Sequence, residues 1–271
     1  MKKRNFENKV VLITGAANGI GLAVARRFAR AGAHLGLIDM DRQALDARRD
    51  EFSQNAISVA AAACDVSNAD ACRAAVKLVI DQLGGIDLLF ANAGITQRSA
   101  FVDTDPAVYH RVMNVNFFGA LYCAKAAIES VIARRGMIIS NESIAGVAPV
   151  LGRTGYCASK HAMHGFFTSL RTELQPLGVH VMIVCPGFIQ TNLQTRALGA
   201  DGRVTHHPQS HIGKHDTPAH AAEAIFRGAE REKNMLVLTP VGKIGYWLNR
   251  LAPAFYEKQM ARRLRSELEP S

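Results

Sequence analysis

Seven short apolar runs, residues 9–14, 33–39, 57–63, 86–91, 136–140, 179–184 and 235–238, alternate with six stretches of helical spacing at 19–31, 42–54, 68–83, 106–133, 155–175 and 218–230. The runs are nearly continuous in apolar residues, as in strands covered on both faces. Strand and helix in such regular succession require right-handed crossovers. The chain is therefore predicted to be α/β, a single-domain doubly wound parallel sheet of about seven strands, Rossmann-like. No Pro/Gly/Ser-rich linker divides the series, which places residues 1–239 in one unit, with a lid at 188–217 beyond the sixth strand. Residues 240–271 follow as a helical extension. Ile244, Trp247, Leu248 and Leu251 stand at i, i+3, i+4, i+7, an amphipathic helix broken before Pro253 and resumed to about Leu268.

With 48% hydrophobic and 20% charged residues, the chain can bury a large core, which argues against disorder. No apolar run approaches the roughly 18 residues of a membrane helix, so no span is expected. Glu7, Asn8 and Lys9 interrupt the charged start before a signal-peptide core can form, and a cytoplasmic protein is expected. Cys64, Cys72, Cys123, Cys157 and Cys185 are scattered, with no Cys-x-x-Cys pair, and read as reduced core thiols. His207, His211 and His215 have helical metal-site spacing, with His206 alongside, but Pro208 and Gly213 break such a helix and no metal is expected. The net charge of +9 is dispersed, with groups at Lys2, Lys3 and Arg4, at Arg26, Arg27 and Arg30, and at Arg262, Arg263 and Arg265. A solvated surface is preferred to a nucleic-acid partner. For the extension three roles stay open: covering the pocket of its own subunit, contacting a neighbouring subunit, or lying on an anionic membrane surface, the least favoured.

After the first strand comes Thr14-Gly15-Ala16-Ala17-Asn18-Gly19-Ile20-Gly21, opening directly into a helix. Glycines in that turn let the backbone approach a pyrophosphate, and the helix N-terminus faces its negative charge. The absence of a following Gly-Lys-Ser/Thr excludes a Walker A loop. Asp39 ends the second strand eighteen residues after Gly21, close to the offset at which a carboxylate holds an adenine ribose and repels a 2′-phosphate. NAD(H) is expected, with Arg42 leaving NADP(H) as the alternative.

Tyr156 and Lys160 stand at i and i+4 on one helix, where an ammonium beside a phenol would lower the phenol pKa and make it a usable acid/base. Alone, that pair is common on helix surfaces. Here it accompanies the glycine turn, Asp39, Asp65-Val66, Asn92-Ala93-Gly94, Asn116, Ser143 and Pro186-Gly187, in the order and spacing of the short-chain dehydrogenase/reductase family, which the chain resembles from Lys9 to about Leu238.

The resemblance implies a proton relay. Tyr156 would exchange a proton with the substrate oxygen, and Ser143 would hydrogen-bond that oxygen. Lys160 would also bind the nicotinamide ribose, while Asn116, with Asn114 as its rival, would anchor a water linking Lys160 to solvent. Gly15, Asn18, Gly19, Ile20 and Gly21 would cradle the cofactor, Asp65 and Val66 would bracket its adenine, and Asn92, Ala93 and Gly94 would pass beneath its ribose. Pro186, Gly187, Ile189 and Thr191 would meet the carboxamide. The family's habit of pairing through the helices at 106–133 and 155–175 implies a homodimer or homotetramer. Val147, Val150, Leu151, Phe188 and Leu193 suggest an apolar secondary alcohol or ketone as substrate. Two other readings compete, a non-catalytic NAD-binding regulatory protein and a basic module associated with nucleic acid or a membrane surface.

Overall fold

The structure, a computed structural model, describes residues 3–205 and 215–268. Seven parallel strands form one sheet in the order β3-β2-β1-β4-β5-β6-β7. They are β1 Val10–Thr14, β2 His34–Asp39, β3 Val59–Ala63, β4 Leu88–Ala91, β5 Met137–Asn141, β6 His180–Cys185 and β7 Met235–Val237. The helices are α1 Gly19–Ala29, α2 Arg42–Ser53, α3 Ala69–Leu83, α4 Pro106–Met113, α5 Gly119–Ala133, α6 Thr154–Leu174, α7 Pro218–Glu230, α8 Pro240–Leu251 and α9 Pro253–Leu264. The strand order reverses between β1 and β4, and a crevice opens beyond the carboxyl ends there.

Two cores explain the continuous apolar runs. Val10 and Leu12 of β1 point to one face and pack with residues of α3, α5 and α6. Val11 and Ile13 point to the other, where Phe28 of α1 and Phe226 of α7 meet Phe6 in an aromatic cluster. Every strand residue of β1, β4 and β5 is buried, so neither face tolerates the polar alternation of a half-exposed sheet.

The expected single helix at 106–133 is two α-helices spliced by a π-turn, Asn114–Phe118. The turn sets which asparagine faces inward: Asn116 is fully buried, whereas Asn114 faces the crevice. The whole segment Pro106–Ala133 is also long and apolar enough to cross a membrane by length and composition, contrary to the expectation that no stretch is. Its apolar character has a use inside the fold, since Val112, Cys123, Ala127 and Val131 are fully buried.

The described part of the anticipated lid is irregular and tied down by single bridges, Gln97 with Leu198 and Ile189 with Asp216. His206, His207 and His211 of the histidine group lie outside the described residues, and His215 stacks on Phe188 with centroids 5.9 Å apart. The extension is the predicted pair of helices broken before Pro253. It packs on its own subunit: Asn249 Nδ2 donates to the Val147 carbonyl at 3.0 Å, Tyr256 Oη to that of Pro149 at 3.0 Å, and the Leu151 N–H to Met260 Sδ at 2.9 Å. Part of the predicted stripe nevertheless turns outward, with Ile244, Trp247 and Leu251 exposed.

Candidate active site

The glycine turn takes its shape from close backbone approach. Gly15 and Gly19 have φ of +66° and +57°, in the left-handed region, and a Cβ on Gly21 would run into the Gly15 carbonyl. Asn92 clamps this turn to the end of β4. Its Nδ2 donates to the carbonyls of Thr14 (2.9 Å) and Gly15 (3.2 Å), and its backbone N–H donates to Thr14 Oγ1 at 2.9 Å. Asn141 Nδ2 in turn donates to Asn92 Oδ1 at 2.8 Å. Asn18 precedes α1 in extended conformation with no side-chain cap, and the helix has no acidic residue in its first turn. The N-terminus of α1 therefore offers uncapped N–H groups and positive potential to an anion.

Asp39 stands at the end of β2, its Oδ2 accepting from the Ala17 N–H at 2.9 Å and its Oδ1 from the Asp41 N–H at 3.1 Å. Each oxygen keeps a further lone pair. Asp41 and Asp65 join it along this end of the cleft, and Arg42 does not line it. Asp65 closes a local turn onto Ser67, and Val66 packs so tightly against Gly119 that no Cβ fits there.

At the other end lie the candidate proton-transfer groups. Tyr156, in the first turn of α6, is buried and lines the same cavity as Ser143. Ser143 stands two residues beyond Asn141, the end of β5, with Glu142 between them. Gln97 Oε1 accepts from the Tyr156 N–H at 3.2 Å, which helps hold the start of the helix. Lys160 is buried one turn further, its Nζ donating to the Asn141 carbonyl at 3.0 Å and lying 5.8 Å from the Tyr156 ring centroid.

This geometry corrects one expectation. Burial pushes the Tyr156 phenol up to about 12. Burial likewise brings Lys160 down to about 8. The phenol stays protonated at neutral pH, so it is poised to donate.

A cavity of about 920 Å³ runs through the site. It is lined by every residue that the resemblance assigned to cofactor or chemistry except Gly21 and Asn116. Asn116 lies beneath the floor with its amide occupied: Nδ2 donates to the Ile95 carbonyl at 3.0 Å and to Ser159 Oγ at 2.9 Å, while Oδ1 accepts from the Ile95 N–H at 2.8 Å. Its side chain splices α6 to the loop after β4, and the rival Asn114 is the asparagine that reaches the cleft. Of the anticipated apolar walls, Val150, Phe188 and Leu193 line the cavity and Val147 and Leu151 do not; Arg111, Arg153 and Arg196 line it as well. A second chamber of about 430 Å³, between this wall and the extension, is mostly apolar and includes Leu248, Phe255 and Met260.

Sequence reasoning missed Gln97, Glu142, Arg153 and His164. A signal existed for Glu142, an acidic residue directly after a buried strand. The others acquire their places only from tertiary neighbours. Cys157, beside Tyr156, is a thiol whose pKa burial raises, as an inert cysteine requires.

A glycine cradle at the switch point of a parallel sheet, with a buried tyrosine and lysine at its far end, belongs to the dinucleotide-dependent oxidoreductases. Known proteins agree. The short chain dehydrogenase family model matches residues 9–200. The chain is 35% identical over 270 residues to Dehydrogenase/reductase SDR family member 7B of Xenopus tropicalis, covering 97% of this chain and 87% of that protein. It is 33% identical over 260 residues to Dehydrogenase/reductase SDR family protein 7-like of Anopheles gambiae, covering 93% and 82%. Its fold matches a short chain dehydrogenase/reductase from Burkholderia phymatum in complex with NAD at a TM-score of 0.82, with 22% identity and 99% of both chains covered. An alcohol dehydrogenase from the archaeon Thermococcus sibiricus, complexed with 5-hydroxy-NADP, matches at 0.73, with 25% identity and coverage of 85% and 95%. The chain belongs to the short-chain dehydrogenase/reductase family of oxidoreductases, which work with a nicotinamide cofactor. The alignment to these relatives extends through nearly the whole chain, beyond the reach of the family model.

Proposed function

We propose that the protein interconverts a secondary alcohol and a ketone with NAD(H), Tyr156 serving as acid/base. The observation that carries this reading is the buried pair Tyr156 and Lys160, one turn apart on α6, lining with Ser143 the same cavity as the glycine turn and Asp39. The cradle fits a dinucleotide, since a side chain at Gly15 or Gly21 would fill the space where backbone must approach it. When bound, the nicotinamide supplies or accepts the hydride. Ser143 orients the substrate oxygen and Tyr156 gives its proton to that oxygen in reduction or takes one in oxidation. In oxidation the buried phenol must first lose its proton, which the Lys160 ammonium favours by opposing the charge left on the oxygen. A coupled absorbance assay over a panel of secondary alcohols and ketones tests the reading. The panel includes neutral and anionic members, because apolar walls and three arginines share this end of the cavity.

The two solved relatives bind different forms of the cofactor, so the choice rests on local charge. Asp39 and Asp41 line the ribose end and would repel a 2′-phosphate. The parent protein is expected to turn over faster with NAD(H) than with NADP(H). Asp39→Asn combined with Met40→Arg, which keeps an acceptor for the turn while reversing the charge, should shift the ratio of kcat/KM toward NADP(H). A parent that prefers NADP(H) would refute the assignment of Asp39.

We also propose that the subunits pair through α5 and α6. Phe117, Phe118, Tyr122 and Phe166 form an aromatic group across these helices, and Phe118 is exposed. A Phe118→Glu variant is expected to sediment as a smaller species than the parent. A parent that is monomeric at every concentration would overturn this.

A further inference from the structure

The extension has two faces. Its inner face is held to the subunit by the contacts of Asn249, Tyr256 and Met260 described above, and its outer face meets solvent. Five of the eleven exposed large apolar side chains among the described residues, Val241, Ile244, Trp247, Leu251 and Phe255, fall within residues 241–255, and all but Val241 are more than half exposed. Apolar side chains scattered singly over a surface need no explanation, but a group of them does. The extension is also basic. Residues 240–264 carry Lys243, Arg250, Lys258, Arg262 and Arg263, all exposed, against Glu257 alone. None of the five is paired with a carboxylate among the described residues. On α8, Lys243 and Arg250 stand one turn to either side of Trp247, so charge borders the apolar stripe. On α9, Lys258 and Arg262 follow Phe255 at i+3 and i+7, on the same side of the helix. The second chamber reaches this surface too, because the exposed Val241, Ile244, Phe255 and Arg263 help to line it.

We propose that the outer face of the extension docks on a bilayer containing anionic lipid, with Ile244, Trp247, Leu251 and Phe255 entering below the headgroups and the basic side chains meeting their charge. Burial of the apolar stripe drives insertion, while the long stems of lysine and arginine let their charge stay at headgroup level. Each basic residue held near an anionic surface adds to the attraction, and five act together here. A second copy of the chain is the poorer occupant, because a symmetric pair would set these five cations against their own copies with one carboxylate on each side to offset them. Docking also covers the mouth of the second chamber with hydrocarbon, which removes its apolar wall from water. The proposal does not depend on the reaction assigned above to Tyr156.

Trp247 is the single tryptophan of the chain, so its fluorescence reports on this face directly. The full-length protein is sedimented with sucrose-loaded vesicles of phosphatidylcholine alone, or of phosphatidylcholine with about one-third phosphatidylglycerol, and Trp247 emission is recorded in parallel. The parent should bind the anionic vesicles about tenfold or more tightly than the neutral ones, with binding weakened by added salt and Trp247 emission moved to shorter wavelength. Lys243→Gln combined with Arg250→Gln should lower affinity for the anionic vesicles by about tenfold or more. Leu251→Asp should weaken binding and reduce the emission shift, and Ile244→Asp makes the same test at a second exposed position should Leu251→Asp not fold. A parent that binds neither vesicle, or binds both equally, overturns the proposal. So does binding with unshifted Trp247 emission, or binding that these variants leave unchanged, since the contact then lies on another surface. An emission shift that appears with rising protein concentration in the absence of lipid would show a second copy covering the stripe, and overturns it as well.

Discussion

Replacing Tyr156 with phenylalanine is expected to lower turnover by about 10²- to 10⁴-fold, the usual contribution of a positioned proton-transfer group. The substitution removes one oxygen and keeps the ring. Packing in the buried first turn of α6 therefore survives, and so does the cofactor cradle at the other end of the cleft. Cofactor binding, read by NADH fluorescence, should change little, while kcat and kcat/KM fall together because the lost interaction belongs to the transition state. The raised pKa sharpens the expectation. A phenol held protonated up to about 12 can donate at neutral pH, and nothing placed beside it substitutes for its proton. Ser143, the nearest hydroxyl, is a far weaker acid. Near-normal turnover in the variant would remove Tyr156 from the mechanism.

The second large effect concerns the end of the extension. Arg153, one of the cavity-lining residues, makes a 2.6 Å ion pair with Glu267, with side-chain exposures of 4% and 0%. Arg98 is also buried, its Nε and Nη1 have no hydrogen-bond partners, and it is repelled by Arg153 and attracted by Glu267. One carboxylate thus compensates two guanidiniums. Glu267→Ala is expected to destabilise the protein by about 3–5 kcal/mol, because breaking a buried pair leaves its partner's charge uncompensated. Urea denaturation gives the measurement. Adding Arg153→Met should recover part of the loss by removing one of the two uncompensated charges, while Arg98 stays buried without its anion. A single variant as stable as the parent would show that the pair does not hold the extension to the site.

The architecture was readable from the chain because its determinants are local. Apolar runs without alternation report strands buried on both faces, and the observed sheet has them. The left-handed Gly15 and Gly19 and the crowded Gly21 fall in a turn whose flanking strand and helix are visible as patterns. Tyr156 and Lys160 share a helix, so four residues of spacing suffice to put them on one face. The break before Pro253 is equally local, for proline cannot continue a helix donor ladder.

Tertiary structure decided what depends on partners distant in sequence. The π-turn, an irregularity no apolar period announces, decided that Asn116 is buried beneath the floor and Asn114 lines the cleft. The direction of the extension's apolar stripe depended on which surface received it. Contacts of Asn249, Tyr256 and Met260 to Val147, Pro149 and Leu151 seated the extension with Leu248 at the second chamber and left Ile244, Trp247 and Leu251 exposed. The pKa of Tyr156 could not be read from the neighbouring lysine, because burial, a sum over the whole surroundings, is what raises it. Glu142 meets His164 across 22 residues only because the turn that follows β5 lies against α6. Spacing along a chain sets which side chains share a strand or helix face, whereas desolvation and pairing are set by everything the fold brings around them.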